Sequence, residues 1–423
     1  MQAGVPDIRA EAPSGPANHV LQTCRHLARL GHQVQVVACL DKRIWKSGDL
    51  VHFSPACAGW PDSVPFKLGE RCVRGIQSRL RLPYVAFFDN LRFARACEHA
   101  LKGYDLLYER MGWMGGGGHI AAGRLGIPHV LEINGDHLRE HEMLGIPIAG
   151  LQRQLSLRLM RRVTRGAAHA VATGEGWRQR HLENWKVDPA RVSVIQNGSE
   201  VVDLLSRREL RCYREQRSPE EALHLVYVGS FDPWQSLPSL VRAVARAAAG
   251  GADVRLSLAG RGVVEEEVKQ AVNGLRIGQR VKFAGHLDMA ALLRLLQQAD
   301  AGIALYRGRE EFTGLKLLDY KSAGLATIAA GRDGQPSLIR HGITGLIVPP
   351  DDEDALVDAI VELSRSPERV VEMGRQARLE AEQGHSWRHS AEALDRLFHS
   401  ITRGRQRRAE GELRQAGSAV GNG

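Results

Sequence analysis

The chain has 423 residues, 43% of them hydrophobic and 25% charged, with a formal net charge of +9. That length is too great for one core and predicts two domains, and no run reaches the roughly 20 apolar residues that span a bilayer. The positive charge favours an anionic partner, whether nucleotide phosphate, nucleic acid or acidic lipid, without choosing among them.

In chain order, MQAGVPDIRAEAPSG lacks the apolar stretch of a signal peptide. A turn, APSGPANH, then leads into a helix in which Val20, Leu21, Leu27 and Leu30 recur at helical spacing, with Gly31 as its stop. A doubly wound domain opens on a strand, yet almost nothing apolar precedes this turn. The expectation is an opening strand that is missing or encoded upstream. Strands are predicted at 33–40 (QVQVVACL), around 105–108, at 129–133, at 167–174 and at 191–199. GWMGGGG at 112–118 reads as a flexible turn meeting a helix, and the charged stretch 206–222 as a linker. Further strands follow at 223–230, 254–262, 280–286, 299–306, 326–331 and 344–350, with helices such as SLPSLVRAVARAAA between them.

Strands alternating with helices imply parallel sheets. The predicted fold is α/β: two doubly wound, Rossmann-like domains, 1–205 and 223–385, facing across a cleft, with ligands beyond the carboxyl ends of the strands. A closing helix is expected at 386–403 and a disordered polar tail at 404–423. The six cysteines, at 24, 39, 57, 72, 97 and 212, form no CxxC pair and read as free thiols of a reducing compartment.

Five segments of the second half occur together and in order: YVGSFDPWQSLPSLVRA, LSLAGRG, VKFAGHLDMAALLRLLQQADAGIAL, EEFTGLKLLDYKSAG and LIRHGITGLIVPPDD. With them the chain resembles the nucleotide-sugar half of a family-4 retaining glycosyltransferase (group 1, GT-B type). The likeness continues more weakly through SGPANHVLQTCRHLARLGHQVQVVA, RLGIPHVLEINGD and VSVIQNGSE. It implies a sugar moved from a nucleoside diphosphate donor to a hydroxyl acceptor, glycan or lipid-linked, with retention. It implies no obligatory metal or other cofactor, and no nucleic-acid partner is expected.

The resemblance also assigns residues. Glu311 and Asp319 stand at the two acidic places of an E-x7-E motif, the first by the donor sugar, the second on the ribose hydroxyls. The amides of Gly314, Leu315 and Lys316 between them would cradle the diphosphate. The plainer reading of both carboxylates is helix capping, worth about 0.3–1 kcal/mol each. Asp319 is a methylene shorter than the usual glutamate. After Gly229, relatives carry an arginine and, later, a lysine or histidine; here Ser230 and Gln235 hold those places, so charge must come from Lys316, from 307–309 or from backbone amides. His286 falls near the nucleobase. Gly260-x-Gly262 lacks the third glycine of a dinucleotide fingerprint and reads as a tight turn. In the first half, Gly15, Asn18 and His19 would line the acceptor side, and Asn134 with Asp136 would stand beside the reacting sugar.

Arg153, Arg158, Arg161, Arg162 and Arg165 lie among leucines at 151–167. The plain reading is a solvated helix; the sharper one is attachment to an anionic membrane surface. The resulting expectation is a cytoplasmic glycosyltransferase, peripheral on the inner face of the membrane if the sharper reading holds. A non-catalytic GT-B protein that binds a nucleotide-sugar or a partner remains the rival, and a sugar-nucleotide epimerase of the same fold is the third reading.

Overall fold

The computed structural model describes residues 7–9, 15–40, 43–84, 86–135, 137, 141, 148–210, 221–307, 314–332 and 336–420, with side chains described through 404. The chain forms two compact units, residues 1–195 with 391–423, and residues 196–390.

The second unit is built on a six-stranded parallel sheet of β8 (Leu223–Val228), β9 (Val254–Ala259), β10 (Val281–Gly285), β11 (Ala301–Ala304), β12 (Ala326–Ala330) and β13 (Gly345–Val348). Its order is β10-β9-β8-β11-β12-β13. These strands read as nearly continuous apolar runs because both faces are covered. Leu225, Leu256, Ile303 and Ile328 are buried against Leu240 and Val244 of α8 (Leu237–Ala249) and Ile360 of α12 (Glu353–Ser364). The strand order reverses between β8 and β11. Their pairing is confined to Ala301 with Leu225 and Gly302 with Val226. Beyond it, the Tyr320 hydroxyl of α11 (Leu315–Ser322) takes up the freed backbone, accepting from Val228 N at 2.9 Å and donating to Ile303 O at 3.2 Å. Gly302 makes room for that ring: a Cβ there would stand 2.2 Å from Tyr320 Cδ2. The strands therefore part around an inserted tyrosine at the switch point, where open α/β sheets bind ligands beyond the carboxyl ends of their strands.

The first unit holds a four-stranded parallel sheet, in the order β4 (Leu107–Arg110), β5 (His129–Ile133), β6 (His169–Ala172), β7 (Val192–Val194). The strand expected at 33–40 is present as β1 (Val36–Leu40), but not in that sheet. It pairs antiparallel with β2 (Arg43–Ser47), which pairs with β3 (Ser54–Pro55), a small sheet not anticipated from the sequence. The Leu40–Arg43 pairing closes a hairpin too short for a crossover, so antiparallel pairing is the geometry available. The helices are α1 (Gly15–Arg29), α2 (Val64–Arg79), α3 (Phe87–Ala100), α4 (Gly117–Leu125), α5 (Gly150–Gly166) and α6 (Glu175–Trp185).

Two features differ from the expected division. Residues 196–205 belong to the second unit, because Val201 and Leu205, in and after α7 (Val201–Leu204), bury against Val226, Leu296 and Tyr320. The last helix, α14 (Trp387–Val420), follows α13 (Pro367–Gly384), runs back onto the first unit and continues through the tail expected to be disordered. Ala391, Leu394 and Phe398 pack with Leu27, Val130 and Val171. The tail is polar, but its Arg, Gln, Glu and Ala residues are strong helix formers, and extending a formed helix carries no nucleation cost.

Candidate functional site

The switch point of the second unit gathers most of the donor-side residues named from the sequence. Lys316, in the first turn of α11, reaches back over the end of β8. Its ammonium donates to Gln235 Oε1 at 2.6 Å and to Tyr227 Oη at 3.2 Å, and lies 4.4 Å and 5.2 Å from the ring centres of Tyr227 and Tyr306. The Tyr227 hydroxyl in turn donates to the Ser230 carbonyl at 2.6 Å. Gln235 is buried, and Ser230 Oγ donates to Asp232. Gly229 also belongs here: a Cβ on it would lie 3.3 Å from Lys316 Nζ.

Among the described residues, every direct partner of the Lys316 ammonium is neutral and it makes no ion pair. The residue keeps some exposed surface, but its charged end is hemmed by two rings. Burial pushes the ammonium down to about 7, against an upward pull from the Asp232 charge. A lysine drawn out of water among neutral groups is suited to receive an anion. The α11 amides add to it. Gly314 caps the helix and no side chain caps it, so the first amides stay available.

One turn on, Asp319 accepts a hydrogen bond from Ser199 Oγ at 2.6 Å. Burial pushes this carboxyl up to about 7; the Ser199 bond pulls it down and the Glu200 charge pushes it further up. Ser199 was not singled out from the sequence, although it lies in the quoted VSVIQNGSE. Its loop is anchored by Ser199 N to the His385 carbonyl at 2.8 Å. His286 is exposed just after β10, with no described contact to Lys316 or Asp319. The Gly260 turn serves packing: a Cβ there would stand 1.8 Å from the Gly229 carbonyl oxygen, which explains glycine without any dinucleotide. Glu311, and the loop residues 308–309, lie outside the described residues.

On the first unit, two of the residues named from the sequence, His19 and Asn134, meet at one that was not named. Glu132, at the end of β5, is 2% exposed and accepts from Tyr108 Oη at 2.5 Å and Asn134 Nδ2 at 2.8 Å, with His19 Nε2 at 2.9 Å. Arg110 Nη1 stands 3.7 Å away. Burial pushes Glu132 up, but His19, Arg110 and Tyr108 outweigh it and hold the carboxyl well below the usual range. The signal for Glu132 was a lone acid inside an otherwise apolar strand, VLEI, covered on both faces. Asn18 lies on α1 one residue before His19 and accepts from Gln22 Nε2 at 3.2 Å, while Gly15 opens the helix exposed. Asn134 is tied into the network, and its expected companion Asp136 lies outside the described residues.

Parallel sheets in both units, with an anion-ready lysine at the switch point of one, define the GT-B class of two Rossmann-like domains. Residues 14–198 match the family described as glycosyl transferase 4-like domain, and residues 222–366 match glycosyl transferases group 1. The chain belongs to the group 1, family-4-like glycosyltransferases. It is 24% identical to a phosphatidyl-myo-inositol mannosyltransferase of Mycolicibacterium smegmatis, over 83% of this chain and 81% of that protein. It is 23% identical to the protein of that name from Mycobacterium tuberculosis, over 92% and 94%. Among solved structures, sucrose-phosphate synthase from Thermosynechococcus elongatus superposes with a TM-score of 0.68 at 19% identity, over 93% of this chain and 96% of that one. The Anabaena protein HepE, in complex with UDP, gives 0.60 at 19% identity, over 73% and 82%.

Proposed function

We propose that the chain transfers a hexosyl-type sugar from a nucleoside diphosphate donor to a hydroxyl acceptor, with retention at the anomeric carbon. The observation that supports this is Lys316: an ammonium at the switch point whose direct partners among the described residues are neutral, one turn from a carboxylate. The diphosphate would pair with the Lys316 ammonium, and Lys316 with the Leu315 and Lys316 amides would stabilise it as the leaving group. Gln235 and Ser230 keep neutral positions because Lys316 carries the charge; Gln235 orients it. Asp319 would accept the ribose hydroxyls, and Glu311 would face the donor sugar. The first unit would hold the acceptor, with Asn134 and Asp136 beside the reacting centre. No obligatory metal is invoked, since the cation and amides perform that role.

The names of relatives support a hydroxylated or lipid-linked acceptor. A lipid acceptor fits a cytoplasmic, membrane-peripheral position. All five arginines of α5 are exposed. α2 exposes Val64 at 70%, Leu68 at 53% and Ile76 at 59%, interspersed with the exposed Lys67, Arg71 and Arg79. No helix among the described residues is long and apolar enough to cross a membrane. Sedimentation with anionic vesicles but not zwitterionic ones checks this part.

The decisive experiment is incubation with UDP- and GDP-sugars, following nucleotide release and, by NMR, the anomer formed. Nucleotide release with the donor's anomeric configuration preserved supports the proposal; inversion overturns the retaining part. The neutral Ser230 and Gln235 favour a second reading, a non-catalytic nucleotide-sugar binder. Saturable nucleotide binding without turnover of any donor would establish it instead.

A further inference from the structure

The bond between Ser199 and Asp319 depends on a helix of four residues. Ser199 stands just ahead of α7. Its Oγ accepts from Val201 N at 3.1 Å and donates to Asp319 Oδ1 at 2.6 Å, so both sides of the hydroxyl are committed. α7 is a single turn, closed by Leu204 N to the Glu200 carbonyl and Leu205 N to the Val201 carbonyl, both at 3.0 Å. A helix that short does not sustain itself. Val201 and Leu205 pack into the core, but apolar contact is non-directional and leaves the rotation of the turn unset.

The directional tie is one buried arginine. Arg378 of α13 is 7% exposed. Its Nη2 donates to the Val202 carbonyl at 2.9 Å and the Leu205 carbonyl at 2.7 Å, at the carboxyl end of α7. Its Nη1 donates to the carbonyl of Ser322, the last residue of α11. Glu382 accepts from its Nε at 2.7 Å and also pairs with Arg207. The carbonyls that end a helix carry partial negative charge, and a cation answers it. One rigid, planar fork thus joins the ends of α7, which follows Ser199, and α11, which carries Asp319.

We infer that Arg378 is a positioning residue for recognition of the ribose diol: it sets the spacing of α7 and α11 that keeps the Ser199 hydroxyl on Asp319 Oδ1 and leaves Oδ2 for the ribose hydroxyls. This rests on the proposed ribose role of Asp319. A buried cation serving stability alone predicts something different: a lower melting temperature with no change in what the site prefers.

The test is isothermal titration of the full chain with UDP, GDP, their 2′,3′-dideoxy counterparts and pyrophosphate, in wild type, Arg378→Met, Arg378→Lys and Ser199→Ala. Wild type should prefer a ribonucleotide over its dideoxy counterpart about ten- to a hundredfold, as hydrogen bonds to a charged group require. That preference should fall about tenfold in Arg378→Met and in Ser199→Ala. Arg378→Lys should lie between, because an ammonium keeps the charge without the fork that spans all the carbonyls. Pyrophosphate affinity should be unchanged throughout, since Gln235 and Tyr227 hold Lys316 at the other end of α11. An unchanged preference in Arg378→Met, or in Arg378→Lys should the methionine variant fail to fold, overturns the inference and leaves the reading of Asp319 standing. Equal losses of pyrophosphate and UDP affinity also overturn it, since they mark general damage to the unit. A wild type that does not distinguish ribonucleotide from dideoxynucleotide removes the ribose role of Asp319 and the inference with it.

Discussion

Lys316 and Glu132 show how a residue's partners decide its use. Both are charged groups drawn out of water, but Glu132 is surrounded by donors and Lys316 by neutral groups. Lys316→Met should therefore give a free protein with a melting temperature at or above that of wild type, because a desolvation cost is removed along with a binding group. Its pH dependence has a definite sign. The folded ammonium titrates near 7 rather than the usual 10.5. Between those values the unfolded chain holds a proton that the folded one lacks, so this group makes stability rise with pH across that window. Asp319, raised to about 7 from 3.8, works oppositely and lowers stability as pH rises between those values. Comparing melting curves of wild type, Lys316→Met and Asp319→Asn from pH 5 to 9 checks both slopes. Glu132 is the contrary case. Its folded pKa is depressed, so its contribution is present above the unfolded value near 4.5 and is lost as pH falls toward the folded one. Glu132→Gln leaves His19 and Arg110 without their charge partner and should destabilise the protein by about 3–5 kcal/mol in denaturant titration; a loss below about 1 kcal/mol would contradict the network. Lys316 and Asp319 were legible in the sequence because a motif spacing marks them. Glu132 and Ser199 were not, because their importance comes from chain segments that meet only on folding: Ser199 lies 120 residues from Asp319 and Glu132 lies 113 from His19.

Among the elements, the parallel strands of both units were readable as apolar runs bounded by glycine and polar loops. β5 and β12 fall within a residue of their expected bounds. β1 was recognised as a strand but not by its partner, since pairing direction depends on what stands beside it. α6 carried its signal in GWRQRHLENW, where two tryptophans and a histidine at i, i+4, i+8 mark the face it buries. α14 was cut short by reading polarity as disorder. Its packing predicts a clear division of roles along one helix. Phe398, 8% exposed and 5.5 Å from the Tyr108 ring, should cost about 3–5 kcal/mol as Phe398→Ala. A stop codon after Arg403 keeps every buried residue described on that helix and should leave the melting temperature nearly unchanged. Equal destabilisation by the two changes would place structural weight in the tail.

On the scale of the molecule, each unit has its own sheet and its own buried cluster, and the chain leaves the first unit, completes the second and returns. That path was only partly visible. The charged stretch at 206–222 suggested a boundary, whereas the division falls at 195–196 because Val201 and Leu205 supply core to the second unit. A fragment of 196–390 should fold cooperatively by calorimetry, while one beginning at 223 should be less stable for want of those side chains. The central claim is that Lys316 receives the diphosphate of a nucleotide. Isothermal titration of the full chain with UDP and GDP, in wild type and Lys316→Met, tests it most directly. The account predicts saturable binding of at least one nucleotide, weakened about ten- to a hundredfold in Lys316→Met, as expected for losing a hydrogen bond to a charged group. Binding that is absent from wild type, or unchanged in Lys316→Met, would contradict it.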